Sequence, residues 1–336
     1  MTILGIETSC DETSAAIVKE ENNQLHLKSN IVASSINLHT KTGGIIPENA
    51  AREQIKYILP VIQEALEKSQ VALPDIDAIA VTYGPGLIGS LLVGVETAKT
   101  ISMVLEKPII PVNHMLGHIY ANWIENSNIE FPALALIVSG GHTDLLLIKN
   151  HGDYTLLGGT RDDAAGEAFD KIGRLLGIPY PGGPVIEQRA KSGNSKRFIF
   201  PRPLIGSDDF DFSFSGLKTA VLREVKSLKK LDEQTIADIC AGVQHAITNV
   251  LIKKTIKAAT KFNVKSILLS GGVAANETLK DEFIQNTKYQ LPNTEVFVPQ
   301  KLLCTDNGAM IAAAAFFNYK EAPWQEITAN PELYFE

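Results

Sequence analysis

The chain opens on Ile3-Leu4-Gly5-Ile6-Glu7-Thr8-Ser9-Cys10-Asp11-Glu12-Thr13-Ser14-Ala15-Ala16-Ile17-Val18, in which two short apolar runs flank a polar turn. Short apolar runs bounded by polar turns are typical of buried β-strands. The arrangement returns in Leu134–Ile148, around the turn Ser139–Thr143, and again where Ile267–Leu269 leads into Ser270-Gly271-Gly272. Since no short repeat accompanies it, a solenoid is excluded. The pattern predicts an α/β protein of two related halves, each presenting its turns to a shared cleft.

Helical periodicity is clear in three other segments. Apolar residues recur at i, i+3 and i+4 through Ile236–Leu251, which predicts a long amphipathic helix. Glu48–Lys68 and Gly166–Leu176 are the other two predicted helices. By contrast, Gly182–Phe212 is rich in Gly, Pro, Ser and aromatic residues, which predicts a long loop or surface insertion. Loops of this kind often carry function.

Length and composition limit the class of protein. At roughly 150 residues per domain, a chain of 336 residues is expected to form about two domains. Hydrophobic residues are 45% and charged residues 21% of the chain, which excludes a disordered protein. Cys10, Cys240 and Cys304 are too widely spaced for a disulfide framework or an all-cysteine zinc site. The first basic residue is Lys19, so no secretory leader is expected, and no apolar run approaches the ~20 residues that cross a bilayer. We therefore expect a soluble, reduced, cytoplasmic protein.

The charge is distributed unevenly along the chain. The whole chain has 31 Lys and Arg against 38 Asp and Glu, a net charge of −7, yet the segment 218–265 has an excess of basic residues. A basic stripe on an acidic protein is compatible with docking of an RNA backbone. A solvated helix face explains it equally well, because no aromatic-rich RNA-recognition motif accompanies it. The sequence leaves both interpretations open.

A candidate metal site lies in Asn113-His114-Met115-Leu116-Gly117-His118. In a helix, His114 and His118 lie one turn apart on the same face, about 5–6 Å between Cβ atoms, so both imidazoles can bind one divalent cation. Two ordinary polar histidines are the alternative. The zinc-protease pattern HExxH requires a glutamate where Met115 stands, so its general base is missing. Asp306 is a candidate third ligand, but it could equally be the N-cap of the alanine-rich helix that follows it.

Two glycine-rich turns are candidate phosphate sites. Ser139-Gly140-Gly141 and Ser270-Gly271-Gly272 follow apolar strands, and their backbone N–H groups can approach an anion without obstruction by a Cβ. The chain lacks G-x-x-x-x-G-K-[ST], which argues against a Walker-type NTPase. The GxGxxG pattern of dinucleotide-binding proteins is matched by Gly84-Pro85-Gly86-Leu87-Ile88-Gly89. Glu106 follows at roughly the sequence separation of the carboxylate that binds ribose in those proteins. A dinucleotide-binding dehydrogenase is therefore kept as a hypothesis. Because Pro85 stiffens this turn, a tight helix-packing turn is the favoured interpretation.

Carboxylates near these turns are further candidates. Asp170 could hydrogen-bond ribose hydroxyls, or it could lie with the neighbouring Lys171 on an ordinary surface helix. Asp11 and Glu12 lie on the polar hairpin between two predicted buried strands. Their side chains would point either into a cleft or into solvent.

Taken together, the motifs resemble one family, the bacterial TsaD proteins, which are tRNA N6-adenosine threonylcarbamoyltransferases once described as O-sialoglycoprotein endopeptidases. The resemblance covers nearly the whole chain, and the order of its blocks makes it far more specific than any single motif. The matching blocks are, in chain order, Gly5–Ser14, Gly43–Glu48, Gly84–Leu87, Asn113–His118, Val138–Thr143, Asp162–Lys171, Tyr180–Pro184, Asp211–Ala220, Gly271–Asn276 and Cys304–Asn307.

The resemblance implies an actin-like ATPase fold, shared with sugar kinases and heat-shock chaperones (the ASKHA class). In that fold two RNase-H-like domains enclose a nucleotide in the cleft between them. The resemblance implies an N-terminal lobe of residues 1–128 and 308–336. The C-terminal lobe would span residues 129–307, with an insertion around 182–216.

The family's functional residues carry over onto matching positions. The implied metal ligands are His114, His118 and Asp306, a set that suits Fe2+, with Zn2+ or Mg2+ as alternatives. The implied contacts of the acyl-adenylate or another adenine nucleotide are Ile137, Val138, Ser139, Gly140, Gly141, Asp170, Gly183, Glu187 and Asn276. Glu187 departs from the family's usual aspartate, although its extra methylene should still reach a ribose hydroxyl. Gln54 stands where a histidine is common, and the consequence of that difference is open.

The implied reaction transfers a threonylcarbamoyl group from threonylcarbamoyl-AMP to N6 of adenosine 37 in tRNAs that read ANN codons, and releases AMP. Because an aromatic amine is a poor nucleophile, the metal would polarise the carbamoyl–phosphate anhydride while the glycine turns hold the phosphate. Asp11 or Glu12 is the candidate catalytic proton acceptor. The implied partners are tRNA, TsaB as a heterodimer mate, the ATPase TsaE and a TsaC-type threonylcarbamoyl-AMP synthase, with no membrane.

Two other enzyme classes stay open as alternatives. One is a metal-dependent glycoprotein endopeptidase, and the other is a metabolite kinase of the same fold. A catalytically silent subunit is disfavoured, because the implied metal set of His114, His118 and Asp306 is complete in this chain.

Overall fold

The computed structural model describes residues 1–22, 24–36, 40 and 44–335. The chain divides into two compact units, of which unit 1 comprises Met1–Ile129 and Pro299–Glu336, and unit 2 comprises Glu130–Val298. The resemblance implied a return to the N-terminal lobe at residue 308; in the structure unit 1 resumes at Pro299, so that Asp306 belongs to unit 1. Gly43, part of one block of the resemblance, lies outside the described residues.

The described part of the chain alternates strands and helices. The strands are β1 (Thr2–Glu7), β2 (Glu12–Glu21), β3 (Gln24–Ser34), β4 (Ala78–Gly84), β5 (Ile109–Asn113), β6 (Ala133–Val138), β7 (Thr143–Asn150), β8 (Asp153–Gly159), β9 (Ser266–Ser270) and β10 (Glu295–Phe297). The α-helices are α1 (Pro47–Ser69), α2 (Ile88–Leu105), α3 (His114–Tyr120), α4 (Ala165–Leu175), α5 (Gly182–Ala190), α6 (Ser215–Ser227), α7 (Glu233–Phe262), α8 (Glu277–Gln290), α9 (Lys301–Cys304) and α10 (Gly308–Phe317). Short 3-10 helices cover Leu73–Asp75, Ala121–Ile124 and Gly272–Ala275.

Each unit contains a five-stranded sheet, and the two sheets have the same topology. The strand order is β3-β2-β1-β4-β5 in unit 1 and β8-β7-β6-β9-β10 in unit 2. In each sheet the first three strands along the chain pair antiparallel, and the last two join in parallel. The first strand of each unit, β1 or β6, is buried along its whole length, which explains the apolar run Ile3–Ile6 in β1 and the wholly apolar sequence of β6. The prediction of two related α/β halves is confirmed.

Close packing of α10 on β1 and α3 positions the segment that carries Asp306. A Cβ on Gly5 would collide with backbone atoms of Gly308 and Ala312, so strand and helix meet at backbone distance. In α3, a Cβ on Gly117 would lie 2.7 Å from Cδ1 of Ile311. The residue just before α10 is thereby held beside α3 and the end of β1.

The three predicted helices form as α1, α4 and α7, but the prediction of one long loop over Gly182–Phe212 is wrong at its start. Residues Gly182–Ala190 form α5. Gly182 and Gly183 lower helix propensity, yet packing outweighs them, since Ile186 is fully buried and α5 packs on α4 and α7. The rest of the segment has no α-helix or named strand.

The GxGxxG stretch forms a strand–turn–helix between β4 and α2, but its glycines serve packing within the chain. A Cβ on Gly84 would collide with the Asn330 carbonyl, and one on Gly86 would lie 2.6 Å from the carbonyl oxygen of Ser9. Leu87 donates its N–H to the same Ser9 oxygen at 2.8 Å. Because the turn is filled by the chain's own backbone, the structure favours the helix-packing interpretation over a dinucleotide site.

Two helices, α2 and α7, are long and apolar enough to cross a membrane by length and composition alone. For α7 the explanation is burial, since 89% of its apolar window lies inside the fold. Only 33% of the α2 window is buried. Its exposed apolar side chains are Ile88, Leu92, Met103 and Val104. Because core helices of water-soluble proteins pass the same test, this is weak evidence for a membrane span.

Candidate metal centre

The paired histidines lie on α3, which begins directly after β5. Asn113 is the N-cap of this helix, and its side-chain oxygen accepts the backbone N–H of Met115 at 2.8 Å. The segment is therefore helical as the histidine spacing required, and the rings of His114 and His118 lie 4.7 Å apart between centroids. Both side chains are buried. Their spacing and burial suit two ligands of one ion.

The carboxylate of Asp306 faces both histidines. Its Oδ1 lies 3.2 Å from Nε2 of His118 and 3.6 Å from Nε2 of His114. One ligand atom from each of the three side chains lies within 4.8 Å of the others. The alternative role of Asp306 as a helix N-cap is wrong, because Asn307 caps α10 by accepting the backbone N–H of Met310 at 3.0 Å. The Asp306 carboxylate is thus available to the histidines.

A buried glutamate, Glu7 at the end of β1, orients His114 from the opposite side. Its Oε2 lies 3.1 Å from Nδ1 of His114, and it also accepts hydrogen bonds from the Ser9 backbone and the Thr82 hydroxyl. A carboxylate that accepts Nδ1–H leaves the Nε2 lone pair of the imidazole directed at the metal position. The sequence analysis missed this role. The available signal was a carboxylate within the fully buried strand β1.

The electrostatics of this cluster favour a positive charge. Burial lowers the pKa of His114, but the carboxylates of Asp306 and then Glu7 outweigh burial and raise it to about 9. A site that draws a proton onto imidazole at neutral pH also attracts a divalent cation at the same place. Two imidazole nitrogens and a carboxylate oxygen, backed by a second carboxylate, are a donor set that fits a transition metal. These residues could therefore bind a metal ion.

The predicted catalytic pair, Asp11 and Glu12, lies where the loop after β1 joins β2. Burial, followed by the charges of Asp11 and Asp306, raises the pKa of Glu12 to about 10. Burial and the same acidic neighbours also raise the pKa of the Cys10 thiol. Oε1 of Glu12 accepts a hydrogen bond from the Ser34 hydroxyl at 3.1 Å. The structure thus places Glu12 within the electrostatic reach of Asp306 rather than in open solvent, and Asp11 beside it is also buried.

We expect the metal-free protein to lose stability as the pH rises. The folded pKa values of His114 and Glu12, about 9 and about 10, exceed the ordinary 6.5 and 4.5, so the folded state binds more protons than the unfolded chain. This stabilisation is complete below the ordinary pKa values and is lost as the pH rises through about 9 to 10. The melting temperature should fall between about pH 6 and about pH 9, and Glu12→Gln should reduce the fall. A melting temperature that rises over this range would contradict the expectation.

In unit 2, the predicted nucleotide contacts Ile137 and Val138 end strand β6, and the turn Ser139-Gly140-Gly141 follows them. The Ser139 hydroxyl accepts the backbone N–H of Gly141 at 3.3 Å, and a Cβ on Gly140 or Gly141 would meet no atom within 4 Å. The turn is therefore open on its outer side. Gly271, with φ of +89°, packs against the backbone of Val138. The two predicted glycine turns thus lie side by side.

Asp170 and Gly183 meet where α4 and α5 pack together. Asp170 Oδ1 accepts the backbone N–H of Gly182 at 2.7 Å. Burial raises the pKa of Asp170, although hydrogen bonds from the Gly182 and Gly183 backbone oppose the shift. Asp170 and Lys171 do lie on one helix, α4, but Asp170 is half-buried with its carboxylate on the Gly182 N–H, while Lys171 pairs with Asp163 at 2.6 Å.

Glu187 and Asn276 meet at the start of α8. Glu187 Oε1 accepts the backbone N–H of Glu277 at 2.8 Å, and Asn276 Oδ1 accepts that of Leu279 at 2.9 Å. The amide group of Asn276 also donates to the Gln244 side chain at 3.1 Å. The longer glutamate at position 187 therefore reaches a backbone N–H of α8, so part of its hydrogen-bonding capacity is already used within the protein.

Comparison with known proteins gives close sequence relatives. Residues 26–313 match the family model described as "TsaD: tRNA N6-adenosine threonylcarbamoyltransferase". The chain is 48% identical over 328 residues to a tRNA N6-adenosine threonylcarbamoyltransferase of Syntrophomonas wolfei, covering 98% of this chain and 95% of that protein. It is 46% identical over 334 residues to one of Moorella thermoacetica, covering 98% and 96%.

Solved structures show the fold. HypF of T. kodakarensis is similar with a TM-score of 0.63 at 14% identity, covering 94% of this chain and 48% of that chain. Component A of (R)-2-hydroxyglutaryl-CoA dehydratase from Acidaminococcus fermentans has a TM-score of 0.54 at 16% identity, covering 95% and 98%. Both are proteins of the actin-like ATPase class, so the mixed α/β fold predicted for this chain is confirmed.

Proposed function

Because the chain belongs to the TsaD family of tRNA N6-adenosine threonylcarbamoyltransferases, we propose that it uses the His114–His118–Asp306 cluster to modify tRNA. The reaction transfers a threonylcarbamoyl group from threonylcarbamoyl-AMP to N6 of adenosine 37 in tRNAs that read ANN codons, and AMP leaves. The observation that carries the role of the site is the convergence of both Nε2 atoms on the Asp306 carboxylate.

His114, His118 and Asp306 would hold the metal, and Fe2+ is the ion that we propose. Two imidazoles and one carboxylate suit Fe2+ or Zn2+, whereas Mg2+ prefers an all-oxygen set, so the donor atoms favour Fe2+ over Mg2+. When bound, the ion supplies Lewis acidity that polarises the carbonyl of the acyl donor. With the ion bound, Glu7 would accept the Nδ1–H of His114 and leave Nε2 as the atom that binds the ion.

The other residues bind the donor and move the proton. Backbone N–H groups of Gly140 and Gly141 are the proposed phosphate donors, since a turn without Cβ atoms lets an anion approach the backbone. Gly141 would exchange its 3.3 Å hydrogen bond to the Ser139 hydroxyl for one to the phosphate. Asp170 and Glu187 are the proposed ribose contacts. The exocyclic amine must lose a proton when it attacks, and we assign its acceptance to the Asp11–Glu12 pair. Within the pair Asp11 is the proposed acceptor, because Glu12, with its pKa raised to about 10, already holds a proton at neutral pH.

The endopeptidase and the metabolite kinase are not favoured. The close relatives are named as tRNA N6-adenosine threonylcarbamoyltransferases over nearly their full length. Met115 also leaves the α3 histidines without the HExxH glutamate that a zinc protease uses as general base.

We propose TsaB as a heterodimer mate, together with TsaE and a TsaC-type enzyme that supplies the acyl-adenylate. An exposed apolar surface on unit 1, which we call the α1–α2 face, supports a protein partner. Its exposed apolar side chains are Ile55, Leu59 and Leu92. The groove between them is lined also by Ile58, Gly89, Val93, Thr97, Thr100 and Ile101. Contiguous exposed apolar surface of this kind marks protein interfaces.

A tRNA-modifying protein of this family is expected to be soluble, and we propose that it works in the cytoplasm.

We expect Leu59→Glu to weaken TsaB binding about tenfold or more, because a charge would be buried in an apolar contact. Leu59 is 65% exposed, so the substitution should leave the melting temperature unchanged. Titration calorimetry of purified TsaB into the variant measures the affinity. Ile199→Glu, at an apolar side chain of unit 2 that is 82% exposed, is the matched control. Equal affinities of both variants and the unsubstituted protein would exclude the α1–α2 face.

The proposed function is tested by reconstitution. The purified chain is incubated with tRNA, threonine, bicarbonate, ATP, TsaB, TsaE and a TsaC-type enzyme, and tRNA nucleosides are analysed by mass spectrometry. We expect N6-threonylcarbamoyladenosine at position 37 only when the chain is included. Metal analysis of the same preparation should give one ion per chain, and absence of product with metal-loaded protein would contradict the proposal.

A further inference from the structure

Gln54 on α1 contacts the loop that joins β1 to β2, which we call the 8–12 loop (Thr8–Glu12). Its side chain is 1% exposed, and its Nε2 lies 3.1, 3.0 and 3.0 Å from the carbonyl oxygens of Thr8, Cys10 and Glu12. An amide nitrogen has two N–H donors, so these are shared among three acceptors. One side chain thus donates hydrogen bonds to the carbonyl oxygen of every second residue along the loop.

The 8–12 loop borders the candidate metal centre. Its Ser9 hydroxyl lies 3.1 Å from Nδ1 of His114, and its last two residues are Asp11, the proposed proton acceptor, and Glu12. The loop is also tied to α2, where the Ser90 hydroxyl donates to the Cys10 carbonyl at 3.2 Å. A shift of the loop would therefore move Ser9 and both carboxylates relative to the histidines.

The contacts of Gln54 are better suited to fixing the position of the 8–12 loop than to stabilising the folded protein alone. Its Oε1 is buried and has no hydrogen-bond partner among the described residues. A buried acceptor without a partner costs free energy that an apolar side chain of the same length would avoid. What the amide supplies, and an apolar side chain cannot, is the set of hydrogen bonds to Thr8, Cys10 and Glu12.

We propose that Gln54 is a positioning residue for the transfer reaction, because it fixes the 8–12 loop in the conformation that presents Ser9, Asp11 and Glu12 to the metal centre. Its kinetic consequence rests on the proposed function, whereas the ordering of the loop does not. The inference extends the site to a side chain on α1 that contacts none of the three predicted metal ligands directly.

The test compares Gln54→Met, which keeps the length but removes both donors, with Gln63→Met as the matched control. Gln63 is an exposed glutamine on the same helix, and its side chain donates to Glu67 at 2.8 Å. Hydrogen exchange followed by mass spectrometry measures the peptide that covers the 8–12 loop, and steady-state kinetics with tRNA gives kcat and KM.

For Gln54→Met we expect faster exchange in the loop peptide, by about tenfold, with unchanged exchange in β4 and β5. We expect kcat to fall about 10- to 100-fold while KM for tRNA stays within about twofold, because misplaced catalytic groups slow the chemical step. Gln63→Met should match the unsubstituted protein in both measurements. Gln54→His keeps one ring N–H donor and should have an intermediate kcat, which keeps the test decisive should Gln54→Met not fold.

A Gln54→Met protein with unchanged loop exchange and unchanged kcat would overturn the proposal. A lower melting temperature alone, with kcat and loop exchange unchanged when measured well below it, would show a purely structural role and would overturn it as well. Absence of product from the unsubstituted protein would contradict the proposed function, and loop exchange alone would then decide whether Gln54 orders the loop.

Discussion

Asp306→Ala is expected to abolish both metal binding and tRNA modification while leaving the fold intact. Asp306 supplies the oxygen of the proposed ligand set, and the remaining His114 and His118 would bind a divalent ion only weakly. Loss of several kcal/mol of electrostatic stabilisation corresponds to a decrease in transfer rate of about 1000-fold or more. The fold should persist because Asn307, not Asp306, caps α10.

The measurements are metal content after dialysis, circular dichroism, and mass spectrometry of tRNA nucleosides after reconstitution. Asp208→Ala is the matched control, since Asp208 is a fully exposed aspartate of unit 2. The variant has a second expected property in the metal-free state. Because Asp306 helps to raise the pKa of His114 and Glu12, its removal should make the melting temperature less dependent on pH. Full transfer activity in Asp306→Ala would exclude the proposed role of the cluster.

The central strands β1 and β6 were predictable from local sequence because they are buried along their whole length and carry the apolar runs Ile3–Ile6 and Ala133–Val138. For α3 the sequence analysis only assumed a helix, in which His114 and His118 would share a face, and the structure confirms that assumption. The third member of the cluster needed the family resemblance, since Asp306 is distant in sequence from α3. Asp306 lies just before the alanine-rich helix α10, so the sequence allowed it to be the N-cap of that helix. Only the structure assigns the N-cap to Asn307.

Features that depend on tertiary packing were not predictable from local sequence. The two glycines at the start of α5 predicted a loop, and burial of Ile186 against neighbouring helices overrides that preference. Gln54 is an ordinary polar position in the pattern of α1, and its proposed role follows only from hydrogen bonds to a loop more than 40 residues earlier. Such contacts join distant segments, and sequence periodicity carries no information about them.

Glu7 is the clearest example, because its role depends on a hydrogen bond to a histidine 107 positions later in the chain. We expect Glu7→Gln to lower metal affinity by about 10- to 100-fold, the usual cost of losing the carboxylate behind a ligating histidine. A glutamine amide that donates to Nδ1 of His114 would stabilise the tautomer with a proton on Nε2. That proton would occupy the lone pair that His114 directs at the metal position.

The same substitution should lower the pKa of His114, since Glu7 raises it both by its charge and by its hydrogen bond. NMR titration of the imidazole in the metal-free protein measures this shift, and titration with Fe2+ or Zn2+ measures the affinity. Glu48→Gln, at a glutamate side chain that is 73% exposed, is the control for loss of a carboxylate charge. Since Gln is close to Glu in size and Ser9 and Thr82 can still hydrogen-bond to it, a loss of affinity in folded protein would report orientation of His114 rather than packing. Unchanged affinity together with an unchanged His114 titration would show that Glu7 does not orient the ligand.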